Sequence, residues 1–371
     1  ANTIKLGTDS NWAVKENNLL AYNDENNIFK PIDFDFTRDS GATRVNEQGL
    51  IENVPIGVPR IDFSDGKGSL LLEPQSTNLI TYSEDLSGYG TIKGTLTLDA
   101  SEIAPDGSLG VYYLTATSAD GLLLDAQSTL GDSTFSVYVK RKTGSGVVEL
   151  SVDGAVTKTP ISVTNEWQRF SLSTASGLGQ LVVNCETSGD EIYVWGLQAE
   201  EKSYATSYIP TSGATATRNA ETSSKANISN FINSSEGVLY VEMSALANDG
   251  TQNLLGLNGG SISNSILFGF SSSNGIRFYG AESGTATGFD LTTVATITSN
   301  LKVALRWSLN DVKFYINGTQ VGTDTSFATS SSLNELSFDN GSGSSPFYGR
   351  IKDLRVYNQA LTDTQLQQLT S

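Results

Sequence analysis

The chain has 371 residues, 38% of them hydrophobic, with 36 glycines, a single cysteine and no histidine. Its 40 acidic and 23 basic side chains leave a formal net charge of −17, a field that repels phosphate backbones and anionic lipid and so argues against nucleic acid or a membrane surface as partner. Without histidine there is no Ser-His-Asp or Cys-His triad and no imidazole metal site, and one cysteine makes neither an intrachain disulfide nor a thiolate zinc site.

The length is enough for two or three domains. The acidic excess reads as a solubility device or, more sharply, as a calcium-binding surface. No run of about 18 apolar residues is present to span a bilayer. The opening Ala1-Asn2-Thr3-Ile4-Lys5 lacks a signal-peptide pattern and reads as a cytosolic start that has lost its initiator methionine.

Residues 1–66 are the least regular part. Asn17-Asn18, Asn23-Asp24, Asn26-Asn27 and Pro31 punctuate short apolar pieces. Arg38, Arg44 and Arg60 lie among Asp33, Asp35, Asp39 and Asp62. They read either as surface ion pairs or as a docking segment held to a partner by Arg–carboxylate pairs. Asp33-Phe34-Asp35-Phe36-Thr37 matches the Asp-x-Asp-x-Thr pattern of aspartate-nucleophile phosphatases, but no βαβ pattern follows to support that chemistry.

From residue 67 to residue 218 the pattern is that of a β-sandwich. Ser69-Leu70-Leu71-Leu72 reads as a buried strand, and Phe135, Val137 and Val139 alternate with Ser136, Tyr138 and Lys140. Apolar runs at 147–152, 167–172, 180–185 and 192–197 follow, separated by turn residues. Cys185 falls in one of them and reads as a small core residue. A Thr/Ala-rich connector over 203–218 leads to a second all-β stretch, 225–371. There Val238, Tyr240 and Glu242 face opposite to Leu239, Val241 and Met243, and Asn317-Gly318 marks a tight hairpin. Thr362, with Gln365 three residues on, predicts a short terminal helix with a capping box. The fold class is therefore all-β: two tandem β-sandwich (jelly-roll) domains after an irregular N-terminal docking segment.

What chemistry remains belongs to carboxylates, as in glycanases, but no Glu-x-Asp-x-x-Glu strand signature occurs, and the chain reads as a non-enzyme. Calcium is possible, with Asp249, Asp339 and Asp353 as acids near strand ends. For sugar binding, Tyr89 between Gly88 and Gly90, and Tyr279 before Gly280, are the exposed aromatic candidates, while Trp167, Trp195 and Trp307 read as core. The sequons at Asn227, Asn233, Asn317 and Asn340 read as turns.

Two segments carry a resemblance. Leu70-Leu71-Leu72-Glu73-Pro74-Gln75-Ser76-Thr77-Asn78-Leu79 with Tyr82-Ser83-Glu84-Asp85, and later Trp195-Gly196-Leu197-Gln198-Ala199-Glu200 with Ser203-Tyr204-Ala205-Thr206-Ser207-Tyr208-Ile209-Pro210-Thr211, resemble the opening and close of a domain of bacteriophage tail and fibre proteins. They bracket a jelly roll similar to carbohydrate-binding modules. Residues 225–371 resemble a concanavalin A-like or laminin-G-like sandwich through Val312-Lys313-Phe314-Tyr315-Ile316-Asn317-Gly318 and the run 348–361. The leader, with Ala42-Thr43-Arg44-Val45-Asn46, resembles segments that precede such modules. The resemblance implies a virion appendage (tail fibre, head fibre or spike) assembled in the host cytoplasm, docked to other virion proteins, binding host surface polysaccharide, and homo-oligomeric, with a trimer as one option. A capsid decoration or spacer making only protein contacts, and a carboxylate glycanase, are the alternatives.

Overall fold

A computed structural model describes residues 2–15, 18–23, 30–291, 296–329 and 332–371. Of the punctuating residues, Asn17, Asp24, Asn26 and Asn27 lie outside them. The class is all-β, and among the described residues the only α-helix is Asp363–Thr370. The chain forms two compact units. The first is built from Ala1–Asp39, Val54–Pro74 and Ala220–Ser371, the second from Ser40–Asn53 and Gln75–Asn219.

In the first unit the strand Gly237–Ala245 lies between Leu301–Trp307 and Gly349–Tyr357, antiparallel to both. Leu239, Val241 and Met243 point into the main core, where they meet Leu255, Phe268, Phe278 and Leu336 of the facing strands. Alternation sends Val238 and Tyr240 the other way, and that face is covered too: Leu366 of the terminal helix packs there with Ala304 and Tyr315. The helix is capped as expected, the Thr362 hydroxyl accepting from Gln365 N–H while the Gln365 side chain accepts from Thr362 N–H. Asn317 and Gly318 both take positive φ, 46° and 79°, as a type I′ hairpin turn requires.

Residues 1–66, expected to be irregular, contribute regular strands. Asn2–Leu6 pairs with Gly349–Tyr357, Lys30–Thr37 joins Asn18–Asn23 to Thr222–Ala226, and Ala42–Val45 belongs to the other unit. Ile4, Leu6, Leu19, Ile32, Phe34 and Phe36 are buried in the main core. The phosphatase-like pentapeptide is a strand with period two: Phe34 and Phe36 point inward while Asp33, Asp35 and Thr37 are exposed.

The charges of this region are equally internal. Glu221 accepts from Arg38 Nη1 at 2.8 Å and Arg60 Nε at 2.7 Å, and from the backbone N–H of Glu73 at 3.0 Å. Arg60 Nη2 bonds Glu73 Oε2 at 2.8 Å and also pairs with Glu221. Arg38 donates further to the carbonyls of Pro55 and Val58. All four side chains are 3% exposed or less. Burial opposes the charge on Arg60, but the carboxylates of Glu221 and Glu73 outweigh it and hold the guanidinium protonated. Arg38 and Arg60, expected as docking residues at the surface, are instead buried, with their bonds made inside the unit. Arg44 is part-exposed and paired with Glu52 at 2.6 Å.

The second unit is a jelly-roll-type sandwich of two five-stranded sheets. One runs Gly90–Ile92, Gly121–Ala126, Gln180–Cys185, Val148–Ser151, Thr159–Ile161, the other Gly94–Ile103, Leu109–Ala116, Glu191–Glu200, Ser133–Thr143, Gln168–Thr174. Leu123, Val183, Cys185, Leu150, Val137, Val139 and Val194 fill the space between them. Burial pushes the Cys185 thiol up to about 11, which keeps it unreactive.

Parity breaks inside Glu191–Glu200. Tyr138 opposes Trp195 and Ser136 opposes Gln198, so Glu191–Glu200 carries an extra residue there, with Gly196 at φ 65°. Ile192 and Val194 face the inter-sheet core before this bulge, and Leu197 and Ala199 face it after. Gln198 and Glu200 are thereby turned to the segment 206–209: Gln198 Oε1 accepts from Ile209 N–H at 2.7 Å, and Glu200 Oε1 takes the hydroxyls of Ser76 at 2.6 Å and Thr206. Asn78 completes the clasp, donating to the carbonyls of Leu197 and Ile209 and accepting from Ala199 N–H. Residues of the segments 70–85 and 195–211 thus share one buried polar network.

Glu221→Gln leaves two buried guanidinium groups under-paired, so denaturant unfolding should show a loss of about 3–5 kcal/mol, against under ~1 kcal/mol for Arg44→Gln at its part-exposed pair. Equal, small effects would contradict the account of the cluster.

Candidate functional site

The second unit carries two concave sites. The larger, about 680 Å³, lies between the loop 81–90 and the ends of the strands Gly121–Ala126 and Gln180–Cys185. Tyr82, 46% exposed, and Tyr89 supply its aromatic surface, with Asp85, Asp125 and Gln180 as polar groups and Leu124 beside them. Tyr89 is half-buried against the inter-sheet core, and its hydroxyl donates to the Tyr82 carbonyl at 2.6 Å. That bond closes the Gly88-Tyr89-Gly90 turn and sets the position of the Tyr82 backbone.

The two acids sit in different surroundings. Asp85 accepts from Ser87 N–H at 3.0 Å and from the Tyr112 hydroxyl at 3.1 Å, and these bonds, the Ser87 backbone first, hold its carboxyl below the usual range. Desolvation raises Asp125, only partly opposed by a 2.6 Å bond from Gln127 Nε2. Burial, then the charges of Asp125 and Asp85, pushes the Tyr89 phenol up, so it stays a neutral donor.

The second cleft, about 460 Å³, lies on the outer face of the other sheet and includes Trp167, Tyr138, Lys140, Glu102 and Ile103. Trp167, expected in the core, is instead half-buried in this wall, its indole N–H donating to the Ile103 carbonyl at 2.8 Å. The strand alternation places Phe170 and Leu172 against the core and leaves the Trp167 ring beside Tyr193. Lys140 Nζ bonds Glu102 at 2.6 Å and lies 5.9 Å from the Trp167 ring centre. Its charged groups satisfy one another, so the Tyr82–Tyr89 cleft is the better site for a polar ligand. Trp195 and Trp307 are buried as expected.

Of the expected sugar-binding residues, Tyr89 lies in the larger cleft. Tyr279 does not: it is half-buried in the strand Ile276–Glu282 of the first unit, opposite Leu267, and lines neither cleft. The expected calcium acids are separate. Asp353 is buried and paired with Arg355, Asp339 accepts from Ser337 and Gly341, and Asp249 closes a turn onto Thr251 N–H. Among the described residues a different trio converges, Asp120, Glu149 and Glu186. Asn227 and Asn317 take positive φ, and the Asn233 and Asn340 side chains accept from backbone N–H two residues on, so all four sequon asparagines do serve turns.

Residues 238–367 match a family model described as the concanavalin A-like lectin/glucanases superfamily. The C-terminal part of the first unit, a β-sandwich, is similar to that family over this stretch. No curated protein matches the chain. Among solved structures, the chain is similar to the CBM40 of a Ruminococcus gnavus IT-sialidase bound to alpha2,3 sialyllactose, at 17% identity over 38% of this chain and 84% of that one, TM-score 0.32. Domain 4 of AbnA, a GH43 extracellular arabinanase from Geobacillus stearothermophilus in complex with arabinotriose, gives 18% identity over 46% and 84%, TM-score 0.32. The CBM22-1-CBM22-2 tandem domain of Paenibacillus barcinonensis Xyn10C gives 10% identity over 78% and 92%, TM-score 0.27.

The opposed environments of the two cleft acids make a pH test. In side-chain carboxyl NMR titrations Asp125 should titrate above an ordinary aspartate and Asp85 below it. A raised folded-state pKa means that Asp125 favours folding only while protonated and costs stability once pH rises through that pKa. Asp125→Asn should therefore stabilise the protein near pH 7 and have little effect below about pH 3. Coincident titrations, or the same effect at both pH values, would contradict the assignment.

Proposed function

We propose that the protein binds carbohydrate, and that the Tyr82–Tyr89 cleft holds the sugar. The observation that carries this reading is an exposed tyrosine face set among two carboxylates and an amide in a cleft of about 680 Å³. Sugar C–H faces pack on aromatic rings while hydroxyls seek acceptors such as Asp85, Asp125 and the Gln180 amide. The two acids and the net charge of −17 favour neutral over acidic glycans. The lectin and glucanase family matched over 238–367 agrees with this class.

The setting we propose is a bacteriophage surface appendage that meets host polysaccharide. Its support is the likeness of the 70–85 and 195–211 motifs to phage fibre proteins. Contacts of one cleft with one chain are weak, so adhesion would depend on many copies, through a homo-oligomer or an array on the particle.

The two carboxylates that line the cleft, one displaced downward and the other upward, favour a second reading, a glycanase that gives Asp85 and Asp125 different roles. The same incubation separates the two. An oligomerised form of the full chain is applied to an array of neutral oligosaccharides, and the bound chains are then sized. Retention with intact chains, weakened about tenfold by Tyr82→Ala, is the expected result. Shortened chains would replace binding with hydrolysis. No retention at high valency would leave a spacer or decoration role.

A further inference from the structure

The fold does not demand glycine at position 90. The residue takes no positive φ, and a Cβ built there would meet no atom within 4 Å. At Gly177 of the same unit, by contrast, a Cβ would lie 2.1 Å from the Thr129 carbonyl oxygen, at a φ of 82°. Gly90 opens the short strand Gly90–Ile92. Glycine weakens a strand and gives up more conformational freedom on folding than any other residue. Position 90 therefore carries a cost that packing does not return.

What the missing side chain leaves is room in the cleft. Gly90 stands opposite Leu124, and directly paired residues share a face. Leu123 points into the inter-sheet core, so Leu124 and Gly90 face outward, and both line the Tyr82–Tyr89 cleft. A side chain at 90 would project beside Leu124 into that space. Two residues on, Ile92 faces the same way, opposite Leu122, and is 50% exposed. Gly90, Leu124, Leu122 and Ile92 thus make a low apolar floor that leaves the cleft along the strand.

Tyr82 lines the same cleft, its backbone bridged to Ser212 and its carbonyl bonded by the Tyr89 hydroxyl. An aromatic ring and an apolar floor offer two places for the C–H faces of sugar rings, and a cleft of about 680 Å³ has room for both. Among the described residues that line it none is basic, so a ring bearing a carboxylate finds no counter-charge there.

We propose that Gly90 determines the length of glycan the protein takes: with one sugar ring on Tyr82, the next ring of the chain lies over Gly90 and Leu124 against Ile92. This rests on the reading of the cleft as a sugar site, and it makes the ligand a neutral oligosaccharide of at least two rings rather than a single terminal sugar.

The test is an amide NMR titration of the full chain with neutral glucans, galactans and mannans of one, two and three rings. In the series that binds, the two-ring sugar should bind about tenfold more tightly than the single ring. Gly90→Val should erase that step, so that the longer sugars bind the variant no more tightly than the single ring does. Valine suits a strand and restricts the unfolded chain, so the melting temperature should hold or rise. Tyr82→Ala should weaken every length. No gain from one ring to two in the unaltered chain would overturn the proposal, and so would a lowered melting temperature in Gly90→Val, which would show that the fold needs the glycine. A gain that survives Gly90→Val while Tyr82→Ala still weakens binding would overturn it and leave the cleft reading intact. If Tyr82→Ala changes nothing, or no series binds, the cleft reading fails and the proposal with it.

Discussion

Glu221 and the two guanidinium groups that share it organise the first unit. Arg38 stands just before the chain leaves that unit after residue 39, and the Pro55 carbonyl it bonds lies just after the return at 54. Glu73 precedes the second departure after residue 74, and Glu221 follows the last return at 220. One neutral group of two arginines and two glutamates thus fixes all four places where this unit is interrupted. Desolvating four charges is costly, and the return comes from mutual pairing and from the carbonyls and backbone N–H that complete each group's bonds. Such a group is poor at adding stability and good at specifying one arrangement, which suits strands brought from three separate stretches of sequence.

The second unit meets a similar demand with a single carboxylate among amide and hydroxyl groups. Asn78, Gln198, Glu200 and Thr206 tie the strand Ser76–Asn78 to the segment 206–209, and the Gly196 bulge makes this possible by reversing the parity of Glu191–Glu200. A side chain at Gly196 would crowd Tyr138 and Tyr208 at 3.1 and 3.3 Å, besides straining its positive φ. Trp195 is turned outward by the same geometry and packs on Tyr208 at 4.7 Å between ring centres. The segments 70–85 and 195–211 are therefore largely accounted for by folding, and the cleft proposed for sugar takes Tyr82 and Asp85 from the first of them.

Much of the fold was legible because period two is written plainly in segments such as 133–143 and 237–245, and because Asn317-Gly318 and Thr362 with Gln365 are local signals that need no tertiary context. The N-terminal strands were harder to read. Ile32, Phe34 and Phe36 do alternate, but Asp33 and Asp35 between them, with Pro31 ahead, gave the stretch the look of a loop. Arg38 and Arg60 misled for a related reason: their partner Glu221 lies 183 and 161 residues away, and no local pattern reports a buried pair of that span. Tyr89 was found from its flanking glycines. Asp125 and Gln180 come to the same cleft only through the pairing of Gly121–Ala126 with Gln180–Cys185, and Trp167 faces outward where the chemistry of its side chain alone suggested core.

These features describe an all-β protein whose polar residues largely serve its own architecture and whose larger cleft is left with an exposed ring and two acids of opposed character. Sugar binding at that place is the central claim. The most direct measurement is amide NMR of the full chain during titration with a neutral oligosaccharide retained on the array. The account predicts shifts gathered in 81–90, 124–126 and 180, with the Tyr279 strand and the Trp167 wall silent. Shifts centred on Tyr279 or Trp167, with the Tyr82 loop unmoved, would contradict it.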